Sequence, residues 1–201
     1  MIDNFELIES LLSFDSEDEF YFVQVLVRKK DNPDGVFGSN NSSRLVKAYY
    51  IKSRDQLRKQ KDEMIALANL FNARVGINLN RRSFYKSAFN LLKKLAESMH
   101  NKEFDKLHRA YNTVCGLHNS VSDKIWLIDV DWKDGYNPGD VNVIVNHVNA
   151  IRNPPGDKVI CTIPTRDGIH IITRSFDLRG FDDNFAGLDI HKNNPTILYI
   201  P

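Results

Sequence analysis

Apolar positions along the chain follow two periods and predict helices alternating with strands. Phe5, Ile8, Leu11 and Leu12 recur at helical spacing and predict an amphipathic helix over Asp3 to Phe14. Asp3 is its expected N-cap, with Glu6 three residues on. An acidic loop, Asp15 to Glu19, precedes the β-branched and aromatic run Phe20 to Val27, which predicts a strand. Asp31 to Ser43 holds Pro33, Gly35 and Gly38 and predicts a loop or hairpin connection. Arg44 to Ile51 predicts a second strand. Ser53 starts a helix, Gln56 completes a capping box, and Leu57, Met64, Leu67 and Ala68 form much of its inner face. Ala73 to Leu79 alternates as a third strand, with Arg74, Gly76 and Asn78 on one face and Val75, Ile77 and Leu79 on the other. Two helices are predicted next. Phe84 to Met99 would turn Phe84, Ala88, Leu91, Leu92 and Leu95 inward. Phe104 to Leu117 would turn Leu107, Tyr111, Val114 and Cys115 inward, with His108 a core or boundary histidine. Arg81 and Arg82, between strand and helix, are expected to be exposed.

The apolar run Ile125 to Ile128 continues into Asp129-Val130-Asp131, and Gly135, Pro138 and Gly139 follow. The run is short and rich in β-branched and aromatic residues, which predicts a buried strand. Alternation puts Asp129 and Asp131 on one face, about 7 Å apart along the strand, and Ile128 and Val130 on the other. Two carboxylates at the end of a buried strand are costly unless a positive charge lies between them, and a divalent cation meets that need. The same pair also fits a solvated strand end or a cap on the next turn. Asp140 is the expected cap of a helix over Val141 to Ile151, stopped by Asn153-Pro-Pro-Gly156. Strands are predicted at Val159 to Ile163, Ile169 to Thr173, Leu188 to Ile190 and Thr196 to Ile200, with a tight turn at Thr165 to Gly168.

Composition narrows the class. The chain has 201 residues, 42% hydrophobic and 26% charged, an ordinary globular balance. No apolar run reaches membrane-spanning length, and the N-terminus has no basic leader pattern, so a cytoplasmic location without membrane partners is expected. The cysteines, Cys115 and Cys161, lie far apart, which argues against a disulfide framework or a zinc site. The net charge of +1 hides a segregation: Arg44 to Ala110 holds 16 Lys and Arg against 6 Asp and Glu. Such a surplus suits a polyanion-facing surface, and also solvated helix faces. Tyr49, Tyr50 and Tyr85, in or beside this region, suit base stacking or an ordinary core.

Two further groups carry candidate chemistry. In Thr165-Arg-Asp-Gly-Ile-His170, Gly168 lets backbone amides approach an anion and His170 can donate to a phosphate. Arg166 and Arg174 add charge-assisted contacts. A plain hairpin turn fits the same residues. A third carboxylate, Asp189, follows Leu188, with His191 on its strand face and Lys192 beside it.

The order Leu127-Ile-Asp-Val-Asp131, then Gly168-Ile-His170, then Leu188-Asp189 resembles the catalytic signature of the archaeo-eukaryotic primase superfamily, especially its small primase-polymerases from phages and mobile elements. The resemblance covers Leu127 to Pro201. It implies an α+β chain in which an RRM-like C-terminal sheet, within residues 121–201, carries the acidic site and packs on an N-terminal αβ unit, residues 1–120. It implies that Asp129, Asp131 and Asp189 are catalytic and bind two Mg²⁺ or Mn²⁺ ions. His170, with Gly168, Arg166, Arg174 and Lys192, would bind the nucleotide, and Arg74, Arg81 and Arg82 the nucleic acid. Arg166-Asp167 departs from the second glycine and basic residue more usual before the histidine. The implied partners are nucleic acid and nucleoside triphosphates. With no zinc-binding or helicase segment in this sequence, priming would draw on a helicase or other replication protein, or the chain is a trimmed or specialised relative. Two alternatives use the same residues: a metal-dependent nuclease or phosphoesterase, and a non-catalytic nucleic-acid-binding accessory protein.

Overall fold

The computed structural model describes residues 1–33, 43–117, 124–182, 185 and 187–201, so the expected loop tip with Gly35 and Gly38 lies outside it. The chain is α+β with two antiparallel sheets. It opens with β1 (Ile2–Asp3) and α1 (Phe5–Leu11). The N-cap position is Asn4 and not the expected Asp3, which lies one residue earlier and accepts from the Phe5 amide at 3.0 Å. Asn4 donates to the carbonyls of Pro164 and Ile197, each at 3.0 Å, and so ties the helix start to two distant strands.

The predicted first strands are β2 (Glu19–Arg28) and β3 (Ser43–Ile51). In α2 (Arg54–Phe71), the Ser53 hydroxyl accepts from the Gln56 backbone amide at 3.1 Å, while the Gln56 side-chain Oε1 accepts from the backbone amide of Lys52 at 2.8 Å, one residue before the cap. The third strand runs farther than its apolar residues predict. β4 (Arg74–Ser83) includes Arg81 and Arg82, and pairs Phe20 with Arg82. Its alternation continues with polar residues, so Arg74, Gly76, Asn78, Asn80 and Arg82 share one face.

α3 (Phe84–His100) follows at once, its amide at Lys86 capped by Ser83 at 3.0 Å. The predicted inner face is partly corrected: Ala88 and Leu92 are exposed, while Ser87 and Ser98 are buried. Phe84 fixes the rotation by packing on Phe20, ring centres 4.3 Å apart. The second predicted helix is a 3₁₀ turn over Phe104–Arg109 followed by α4 (Ala110–Leu117), and His108 is exposed.

The second half has the order β5 (Ile125–Asp131), α5 (Pro138–Ala150), β6 (Val159–Pro164), β7 (Gly168–Arg174), α6 (Arg179–Asp182) and β8 (Asp189–His191). α5 starts three residues earlier than predicted. Asn137 is its cap, Pro138 opens it, and Asp140 is the reciprocal partner that accepts from the Asn137 amide at 2.8 Å. These strands form a sheet in the order β6-β7-β5-β8. β9 (Thr196–Ile200) leaves that sheet and joins the first, whose order is β1-β9-β4-β2-β3.

Apolar burial follows the alternation. Ile128, Val130 and Ile171 pack with Ile144 and Val148 of α5 and with Phe176 and Phe181. Their neighbours Leu127, Ile163 and Ile172 join the large cluster of Tyr21, Val23, Val75 and Leu198 that α1 and α2 cover. Both sheets therefore share apolar packing. On β5, Asp129 and Asp131 lie on the Leu127 side.

Candidate active site

The register places the acidic residues. On β5, Asp129 lies opposite His170 of β7 on one side and opposite Asp189 of β8 on the other. The row Asp189–Asp129–His170 thus crosses three adjacent strands, where directly opposed side chains stand about 5 Å apart. Asp131 lies opposite Gly168. Four of these line one cavity: Asp129, Asp131, His170 and Asp189 border a cleft of about 570 Å³ between the two sheets.

Gly168 has a different task from the one expected. A Cβ there would come within 2.0 Å of the Val130 carbonyl oxygen and 2.9 Å of the Asp131 Cα. The glycine lets β7 close on β5 at the point where Asp131 sits. The turn is drawn in further by the Trp132 amide, which donates to the Asp167 carbonyl at 2.8 Å.

His170 is buried, and its Nδ1 shares a 2.9 Å hydrogen bond with the Thr196 hydroxyl of β9. Burial above all, with the charges of His191 and Arg74, pushes its pKa down to about 4 against the pull of Asp131. Its Nε2 stands 3.5 Å from an Asp129 oxygen. Asp129 moves the other way: burial, then Asp131 and more weakly Asp189, hold its carboxyl above the usual range, although His191 and Lys133 oppose them. Both shifts disfavour charge, so the contact is a neutral imidazole beside a strained carboxylate and not an ion pair. Asp131 itself is engaged by Lys133.

The facing wall is cationic. Arg28 and Lys30 at the end of β2, with Arg74 of β4, line the same cleft. Arg74 is held by Asp31 through two bonds of 2.6 and 2.7 Å. Arg166, from the turn before β7, reaches the same carboxylate at 3.4 Å. Burial pushes the Asp31 carboxyl up, but the hydrogen bond and charge of Arg74, then Arg166, more than offset it and leave it below the usual range. Asp31 therefore ties the first sheet to the turn that carries Gly168.

No protein-family model, curated protein or solved structure matches this chain. The site stands on its own geometry.

Of the residues expected in the site, the three carboxylates, His170 and Arg166 border the cleft. Two expected phosphate contacts do not. Arg174 lies opposite Ile125, at the other end of β7 from Gly168, about 20 Å along the strand. Lys192 is exposed, with its ammonium 5.0 Å above the Trp126 ring. The expected nucleic-acid arginines are occupied within the fold. Arg82 is 0% exposed and donates to the carbonyls of Cys115 at 2.8 Å and Asn80, and burial lowers its pKa to about 10. Arg81 is bound by Asp15 and Glu19, and Arg74 by Asp31. Elsewhere Lys47 meets Glu63, Arg58 meets Glu9 and Lys61 meets Asp3, so much of the basic surplus neutralises acids within the fold. Of the three tyrosines, Tyr49 is buried, Tyr50 stacks on Phe22 and bonds Asn112, and only Tyr85 is exposed, at 68%.

The donor set of Asp129, Asp131 and Asp189 suits a hard divalent cation, and the repulsion at Asp129 is what a cation would relieve. As the side chains stand, no three His, Cys, Asp or Glu groups among the described residues form a ready ligand set. Asp131, for one, is turned to Lys133. Arg28, Lys30 and Lys133 are the site residues that the sequence pattern does not single out. Arg28 and Lys30 border the cleft from a segment distant in sequence, and a basic strand end carries no local signal of what it faces; Lys133 follows Asp131 by two residues.

Proposed function

We propose that this protein is a metal-dependent nucleotidyltransferase of primase-polymerase type, which extends or starts a chain on a nucleic-acid template. The observation that carries this reading is the cross-strand row Asp189–Asp129–His170, with Asp131 beside it, opening on a cleft whose far wall is basic. The strand order supports an RRM-like sheet. β5-α5-β6-β7-α6-β8 has the β-α-β-β-α-β connectivity, with the first and third strands at its centre.

Asp129, Asp131 and Asp189 would hold two Mg²⁺ or Mn²⁺ ions, which supply charge neutralisation and activation of a 3′-hydroxyl. The protein's own groups do the rest. His170 is neutral at pH 7, and in the tautomer in which the Thr196 hydroxyl donates to Nδ1, Nε2–H is the donor left for a phosphate oxygen. The bond to Thr196 keeps the ring from turning. Arg166 stands at the cleft edge, where the long bond to Asp31 leaves guanidinium donors for an anionic group.

The test supplies primed and unprimed templates with nucleoside triphosphates and Mn²⁺. Wild type extends or synthesises a primer, and Asp129→Ala reduces the rate at least about 1,000-fold, as losing a group made for the transition state does. Absence of product from the wild type, or equal rates in the variant, overturns the proposal. Nucleotide release without added triphosphate redirects it to a nuclease using the same carboxylates.

A further inference from the structure

We infer that Arg28 and Lys30, from the sheet opposite the acidic row, are the seat for the polyphosphate tail of a nucleoside triphosphate. The inference rests on the nucleotidyltransferase reading and extends it to residues outside the three acidic and histidine segments.

Both side chains line the cleft that Asp129, Asp131 and Asp189 border. Of the other cations there, Arg74 and Lys133 are held closely and Arg166 only by a long bond. Arg74 and Arg166 share Asp31, and Lys133 holds Asp131. Arg28 and Lys30 form no ion pair among the described residues; Asp31, which Arg74 holds, feels the charge of Arg28, and Lys30 feels that of Asp131. Burial and the neighbouring charges of Arg28, Arg74 and Lys133 push the Lys30 ammonium down. Positive charge is thus crowded at one wall, with the carboxylates that face it across the cleft, Asp131 among them, offsetting it only in part. Protein surfaces tolerate that where an anion completes the set.

The geometry selects the kind of anion. The basic wall faces carboxylates across a half-open cleft of about 570 Å³, a size suited to a small molecule. A nucleic-acid backbone needs a stripe of free cations along a surface, and Arg74, Arg81 and Arg82 are bound inside the fold. A polyphosphate carries several charges in a small volume and can meet the cationic wall on one side and cations held by the carboxylates on the other. Lys30 lies two residues beyond Arg28, so the two cations approach the tail from neighbouring positions.

Two measurements test this. Calorimetric titration with inorganic tripolyphosphate and Ca²⁺, without template, reads the seat directly. Steady-state extension with Mn²⁺ reads it in turnover. The double variant Arg28→Ala/Lys30→Ala is expected to weaken tripolyphosphate binding and raise the nucleotide KM about 30-fold, the loss typical of two charged hydrogen bonds in part-exposed positions. Its kcat and its affinity for primed template stay near wild type. Arg28→Lys/Lys30→Arg, which keeps both charges, retains most of the binding and serves where the alanine variant does not fold. Unchanged tripolyphosphate affinity and KM overturn the inference while leaving the nucleotidyltransferase reading intact. A loss that falls on template affinity alone overturns it in favour of backbone contact. If wild type makes no product but binds tripolyphosphate through these two residues, the seat stands and the polymerase reading fails.

Discussion

Gly168 shows how far one hydrogen atom in place of a side chain governs the site. The β5–β7 pair closes there because nothing stands between Gly168 and the Val130 carbonyl. Gly168→Ala is expected to cost about 2–3 kcal/mol in urea unfolding, as overpacking between two backbones does, and to displace Asp131. Activity should fall further than stability. Asp129 predicts the opposite sign. Its ionised form is held against burial and two like charges. A carboxyl whose folded pKa is raised costs stability above that pKa, and the cost fades as pH falls. Asp129→Asn should therefore melt higher than wild type in metal-free buffer at pH 7. Mn²⁺ should raise the melting temperature of the wild type and leave that of the variant nearly unchanged. A variant that melts lower without metal removes the repulsion from the account.

At the scale of elements, most strands and helices are legible from apolar period alone, because their buried sides are apolar. β4 is the informative exception. Its first residues alternate with valine and isoleucine, but Asn78, Asn80 and Arg82 continue the strand with a polar inner face, which reads as a strand end. Those residues are buried because they bind other segments. Asn80 accepts from the Ile125 amide at 2.8 Å and donates to the carbonyls of Ile125 and Lys192 at 2.8 and 3.2 Å. Asn78 donates to the Asn193 carbonyl at 2.7 Å. The strand thus grips the start of β5 and the end of β8, which flank the acidic row. The acidic and histidine positions were legible because each sits on a short strand with its own apolar partner. The cationic wall was not, because its partners are remote in sequence. Asn80→Ala leaves two carbonyls and an amide without partners and should cost about 2–4 kcal/mol by urea unfolding. A cost under about 0.5 kcal/mol would mean that water replaces the side chain.

At the scale of the whole molecule, Asp31 and Asn4 join the two sheets. Asp31 is 6% exposed at its side chain and Arg74 11%. Its depressed carboxyl contributes stability that is fully present above the unfolded value near about 3.9 and is lost as pH falls through the folded one. Asp31→Asn should cost about 3 kcal/mol at pH 7, as breaking a buried pair does, and the gap to wild type should close below about pH 4. A gap that is unchanged at acid pH would exclude ionisation as its source.

β9 gives the chain an unusual dependency. It lies between β1 and β4 in the first sheet, yet follows every strand of the second, and its Thr196 steadies His170. The opening part of the polypeptide therefore stays with a slot in it until the rest has been laid down. Loss of one part strips the other of a neighbour. Indole fluorescence from Trp126 and Trp132, and amide exchange at Val75 and Ile77, should report the same melting event, and a fragment ending near residue 120 should remain unable to close its own sheet.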